Sequence, residues 1–168
     1  MASTSTNKQP LLIDRVMHEA FDMNERKVAE NTTTPGLVSN VNSAKVIVDG
    51  IGSGNDGCVI ETIYTVSRST TEYKINLYLS KNRDFLRQDN CVFIGQVTSA
   101  TTRYAKSDVD DLPKILAPVP HDGGDAQLRA LYIPKGSVLW AAVEIPEGND
   151  INDPVNDAPV LGAQGGWY

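Results

Sequence analysis

The sequence predicts a mainly β chain: an antiparallel β-sandwich, or a barrel-like relative of one, with an N-terminal amphipathic helix and an extended C-terminal arm. Three observations predict it. Short β-branched runs recur between turn residues from residue 44 onward. One of them alternates apolar and polar side chains with period two, the mark of a half-buried strand. Helical spacing occurs only near the start of the chain. The expected organisation is an N-terminal arm and helix over 1–36, a β-sandwich domain over 37–146 and the arm over 147–168.

Residues 1–10 are polar and rich in Ser and Thr. From Leu11 the spacing changes: Leu12, Val16, Ala20 and Met23 fall three or four apart, and Ile13, Met17, Phe21 and Val28 widen the stripe. Acidic Asp14 and Glu19 come early and Arg26 and Lys27 late, the order a helix dipole favours. A helix is expected over Leu11–Ala29, ended by the Thr34-Pro35-Gly36 turn. Strands are expected over Ala44–Val48, Cys58–Val66, Thr71–Ser80, Cys91–Ser99, Leu128–Ile133 and Ser137–Ile145. The clearest is Thr71–Ser80, where Tyr73, Ile75, Leu77 and Leu79 share a face opposite Glu72, Lys74, Asn76 and Ser80, which are expected to be wet. Thr101–Gly124, with three prolines, reads as one long irregular connection. Beyond Pro146 the glycines and prolines read as turns leading to Trp167-Tyr168.

Composition narrows the function classes. The formal net charge is −6, and the densest basic stretch, Lys81, Arg83 and Arg87, is broken by Asp84 and Asp89. Duplex binding needs clustered cations to replace phosphate counterions, so nucleic acid is not an expected partner. No stretch reaches the ~18 apolar residues of a membrane helix, and the N-terminus has no apolar signal core. Neither a membrane partner nor secretion is expected, and synthesis in a cytoplasm is. Cys58 and Cys91 sit inside apolar runs and are expected as reduced, buried thiols.

Candidate chemistry is sparse. Gly52-Ser53-Gly54-Asn55-Asp56-Gly57 fits a dinucleotide-binding spacing, but that site needs a helix next, whose amides hold the pyrophosphate. The following Cys58–Val66 is strand-like, so a glycine-rich β connection is expected. The two histidines, His18 and His121, are placed in a helix and a loop, with no base–nucleophile pairing in view. Two acidic stretches, Asp108–Asp111 and Asp150–Pro159, offer hard oxygen ligands suited to calcium; solvated turns are the expected state of both. The sequence commits no catalytic residue, no cofactor and no metal.

Three segments carry a resemblance. Tyr73-Lys74-Ile75-Asn76-Leu77-Tyr78-Leu79 is similar to an alternating strand of small β-sandwich virion proteins from tailed bacteriophages. Leu131-Tyr132-Ile133-Pro134-Lys135-Gly136-Ser137-Val138-Leu139-Trp140-Ala141 resembles their later hairpin, in which a strand ends at proline, glycine turns and the next strand returns. Glu61–Val66 resembles the strand that opens many of them, although Ser67-Arg68-Ser69-Thr70 replaces the usual proline turn. The resemblance spans about residues 44–145. It implies a head decoration, neck or tail accessory protein, synthesised in a host cytoplasm, that meets copies of itself and other virion proteins. The interface residues expected on this reading are Leu12 and Val16 of the N-terminal segment and Val160, Leu161, Trp167 and Tyr168 of the arm. Two rival readings stand beside it: a carbohydrate- or peptide-binding sandwich using Trp140, Tyr104 and Tyr132 as an aromatic platform, and a small hydrolase with a site among carboxylates.

Overall fold

A computed structural model describes residues 15–24, 26–29, 44–52, 56–84, 90–108, 115–116, 129–145 and 155–167. Among these residues the chain forms eleven strands and no helix. They are β1 (Arg15–Asp22), β2 (Lys27–Ala29), β3 (Lys45–Asp49), β4 (Gly57–Val66), β5 (Lys74–Ser80), β6 (Cys91–Thr98), β7 (Lys106–Asp108), β8 (Ile115–Leu116), β9 (Arg129–Pro134), β10 (Val138–Ile145) and β11 (Val160–Trp167). The first sheet runs β1-β11-β4-β9-β8, and β7 shares with β9 the edge of β4 that faces away from β11. The second runs β2-β10-β5-β6, with β3 and β2 end to end along one edge of β10. Pairing is antiparallel throughout except for the short parallel contact of β2 with β10. The sheets are open and do not close into a barrel.

The core lies between the sheets. Met17, Phe21, Ile60, Ile63, Leu131, Ile133, Leu161 and Trp167 from the first sheet meet Ile47, Ile75, Leu77, Val97, Leu139 and Val143 from the second. Alternate residues of the strands supply these contacts, because successive side chains of a strand point to opposite faces; on β4 a register shift against β11 puts Ile60 and Ile63, three apart, in the same core.

Two expected elements are corrected. Residues 15–22, expected in the helix Leu11–Ala29, are β1, and residues 27–29 are β2. Met17 and Phe21 are four apart, a spacing that both a helical turn and alternate strand positions satisfy. Both are buried, whereas Val16 and Ala20, the other half of the helical stripe, lie exposed on the opposite face. Residues 160–167, expected in the extended arm, are β11, an inner strand flanked by β1 and β4. Two of its glycines are required by close approach: a Cβ at Gly165 would stand 2.0 Å from the Val59 carbonyl oxygen, and one at Gly162 would meet the Tyr64 ring.

The resemblance to a hairpin over Leu131–Ala141 is also corrected. β9 pairs in the first sheet and β10 in the second, so the connection is an arch across the sandwich. Its turn has the expected residues: the Ser137 amide donates to the Pro134 carbonyl at 3.1 Å, and Gly136 takes φ +76°, as the third residue of a type II turn requires. Of the face expected to be wet, Glu72 and Lys74 are exposed as expected, and the part along the rest of β5 is covered. Asn76, Tyr78 and Ser80 are buried, and Tyr78 joins Ala44, Val138, Trp140 and Ala142 in a second apolar cluster on that side of the sheet.

Candidate interaction surfaces

Among the described strands, β6 pairs only with β5, leaving its other edge without a strand partner. Its residues, Cys91-Val92-Phe93-Ile94-Gly95-Gln96-Val97-Thr98, include no charge and no proline. Natural sheets protect their edges with such residues, because an unpaired row of amides and carbonyls templates another strand. A register shift opposite Leu77 and Tyr78 leaves Ile94 as an extra residue, which bends the strand locally. The first half of β6 presents Val92 (65% exposed) and Phe93 (41%) to solvent. Phe93 also meets the Tyr78 ring edge-on at 5.9 Å between centroids. A cleft of about 540 Å³ opens beside Val92, with Leu79, Ser80, Lys81, Asn82, Asn90 and Cys91 around it.

The second half of β6 is anchored. Gln96 Nε2 donates to Asn76 Oδ1 at 2.7 Å and to Glu144 Oε2 at 2.9 Å, and Asn76 Nδ2 donates to the same carboxylate oxygen at 3.1 Å. Lys74 Nζ lies 3.8 Å from Glu144 Oε1. This network fixes β6 to β5 and β10 from one side and leaves the outer edge as it is.

A second surface lies at one end of the first sheet. The turn Thr101–Ala105 is tied to the end of β4: the Tyr104 amide donates to the Ser67 carbonyl at 2.8 Å, and the Ser67 amide to the Ala105 carbonyl at 3.0 Å. Tyr104 has φ +65°, the one positive φ at a non-glycine among the described residues. The left-handed conformation costs an L-residue with a bulky side chain roughly 1–2 kcal/mol. Tyr104 is 72% exposed, so packing recovers little of that cost. The Arg103 guanidinium lies over its ring at 5.1 Å. Next along the chain, Lys106 stands 4.9 Å over the Tyr64 ring. That ring covers Gly162, and His18 Nε2 lies 3.0 Å from Tyr64 Oη. Arg68, following Ser67, pairs with Asp22 at 3.0 Å. The Asn24 amide, with Arg68 as a further contributor, holds the Asp22 carboxyl below its ordinary range. Nearby, Tyr73 donates its hydroxyl proton to Asp157; burial first, and that acceptor second, push the Tyr73 phenol up to about 12.

Of the expected interface residues, Leu12 and Tyr168 lie outside the described residues. Val16 is exposed on the outer face of β1 and Val160 is half-buried. Leu161 (0% exposed) and Trp167 (6%) are core residues of their own sandwich, with Arg15 5.5 Å over the indole. The expectation that Leu161 and Trp167 form an interface with another subunit is therefore corrected: their burial is intramolecular. The aromatic platform does not assemble, because Tyr132 lies on β9 of the first sheet and Trp140 on β10 of the second. Cys58 and Cys91 also lie in different sheets and form no disulfide. Cys58 is buried and Cys91 half-buried. Gly57 opens strand β4 directly, so the glycine-rich segment leads into a strand. His18 is exposed on β1, and His121, Asp110, Asp111, Asp150 and Asp153 lie outside the described residues. Among the described residues no three His, Cys, Asp or Glu side chains converge as metal ligands.

Val92 and Phe93 were missed in the sequence. The signal available was the absence of charge over residues 91–98, but composition cannot distinguish an inner strand from an edge.

No family model, curated protein or solved structure matches this chain.

Proposed function

We propose that the chain is a structural subunit of a tailed-phage virion, of the head-decoration, neck or tail accessory kind, working by subunit–subunit contact and not by catalysis. The observation that carries the assembly reading is the edge of β6: uncharged, free of proline, and presenting Val92 and Phe93. A strand laid along it gains main-chain hydrogen bonds, and the two side chains supply apolar area to exclude water from them. The virion setting is supported by the resemblance of the β5 segment and of Leu131–Ala141, whose turn chemistry is retained although its strands part into two sheets.

The test is a double substitution, Val92→Lys with Phe93→Lys. Val92 is 65% exposed, so its substitution should change stability by no more than about 0.5 kcal/mol. Phe93, 41% exposed and in contact with the Tyr78 ring, should cost more, and a thermal melt checks that the double variant stays folded. Sedimentation should show wild-type chain associating with concentration and the double variant remaining monomeric. A wild-type chain that stays monomeric would overturn the assembly reading. For the virion setting, mass spectrometry of purified particles should find the chain at a fixed ratio to the major structural proteins. Recovery from the soluble lysate alone, with particles lacking it, would refute that setting.

A further inference from the structure

Tyr104 occupies a conformation suited to glycine or asparagine, in a turn that its neighbours fix through three backbone hydrogen bonds: Tyr104 to Ser67, Ser67 to Ala105, and Ala105 to Thr102 at 3.0 Å. Its side chain is directed to solvent, and the contact described for it is with the neighbouring Arg103 guanidinium stacked on the ring. An observed backbone outlier of this kind points toward function more than toward folding. A rigid turn that presents Tyr beside Arg supplies the two residue types most enriched, with Trp, among those that dominate protein interfaces. The phenol offers a large contact area with few rotors to immobilise.

Arg103 gives the tip its sign: across the Ser67 tether Arg68 is ion-paired with Asp22, and Lys106 lies over the Tyr64 ring, two residues before Asp108. The chain as a whole carries 21 Asp and Glu against 15 Lys and Arg, so another copy carries a net negative charge of −6. We infer that the Arg103–Tyr104 tip is a preformed contact point for an acidic surface on a second copy of this chain. This rests on the reading of the chain as an assembling subunit and adds to it a contact that is not symmetric: a basic, aromatic tip on one copy against an acidic surface on the next. Contacts of this head-to-tail type build rings or filaments, not closed pairs.

The experiment uses the full chain and two measurements, melting temperature and sedimentation across a concentration series at low and high ionic strength. Tyr104→Gly and Tyr104→Asn place residues at ease with positive φ in the turn. They should melt no lower than wild type while weakening association about tenfold or more, the size of a central contact. Arg103→Glu should weaken it at least as much, and Arg103→Lys should restore part of it. Wild-type association should fall with added salt, as screening of an exposed charged contact demands. Variants at 104 that melt lower would mean that the ring supports the fold, and would overturn the inference. If Val92→Lys/Phe93→Lys abolishes association while the Tyr104 and Arg103 variants associate like wild type, the tip has no role and the assembly reading stands. A wild-type chain monomeric under every condition removes both.

Discussion

β11 and β6 are a matched pair with opposite fates. Each has eight residues, neither carries a charge, and each contains glycine and one glutamine or more. β11 lies between β1 and β4, and Leu161, Ala163 and Trp167 are buried. β6 lies outermost in the other sheet, with Val92 and Phe93 in solvent. An uncharged strand is what an inner position demands, because a charge there has no water and no partner. At an edge the same composition leaves a template for pairing. The other eight-residue edge strand, β1, follows the protective rule: Arg15, His18, Glu19 and Asp22 punctuate it. The difference teaches that charge content must be judged against a strand's place in the sheet.

The largest expected effects break β11. Leu161→Ala removes a fully buried side chain from between the sheets and should cost about 2–5 kcal/mol, and Trp167→Ala about 3–5 kcal/mol, read as a shift in urea midpoint. Val92→Ala on β6 should be nearly silent in the same assay, within about 0.5 kcal/mol. Equal losses at Leu161 and Val92 would erase the distinction between the inner strand and the edge.

Glycine chemistry sharpens it at a smaller scale. At Gly165 a Cβ would meet the backbone of β4, 2.0 Å from the Val59 carbonyl oxygen and 2.9 Å from the Ile60 Cα. Gly165→Ala should therefore cost about 1–3 kcal/mol, the range for overpacking. At Gly162 the obstacle is the outer end of the Tyr64 ring, 2.2 Å away. A side chain can swing aside where a backbone cannot, so Gly162→Ala should be the milder change in thermal melts. The reverse order would mean that the Tyr64 ring, held by His18 and Lys106, is the stiffer neighbour.

These residues also explain what was legible in the sequence. β3, β4, β5, β6, β9 and β10 were readable because β-branched and aromatic runs between turn residues depend on local pattern. β1 was misread because Met17 and Phe21 satisfy two periods at once, and only the partner β11 decides between them. β11 was misread because glycine is locally a turn residue; here it admits the backbone of β4 and the ring of Tyr64, neither of which is near in sequence. The open edge of β6 and the tethered Tyr104 were invisible for the same reason. Strand order and a hydrogen bond to Ser67 are properties of the folded chain.

The smallest expected effect compares the shielding of the two strands through titration. Cys58 stands opposite Trp167 of β11, and Tyr78 opposite Phe93 of β6. Burial pushes the Cys58 thiol from 9.0, and the Tyr78 phenol from 10.0, up to about 12. Both are acids whose protonated form is neutral, so the folded chain retains protons that the unfolded chain has lost. Their contribution to stability is whole below about pH 9, and it declines as pH rises through the window to about 12. Alkaline difference absorbance should show Tyr78 and Tyr73 ionising near pH 12 and not near 10, and alkylation of Cys58 should stay slow over the same range. Phe93→Ala uncovers one side of the Tyr78 ring and should draw its ionisation back toward 10 while leaving Cys58 unchanged. If Tyr78 already ionises near pH 10 in the wild-type chain, β6 does not shield β5, and its edge is too loosely held to template a neighbour.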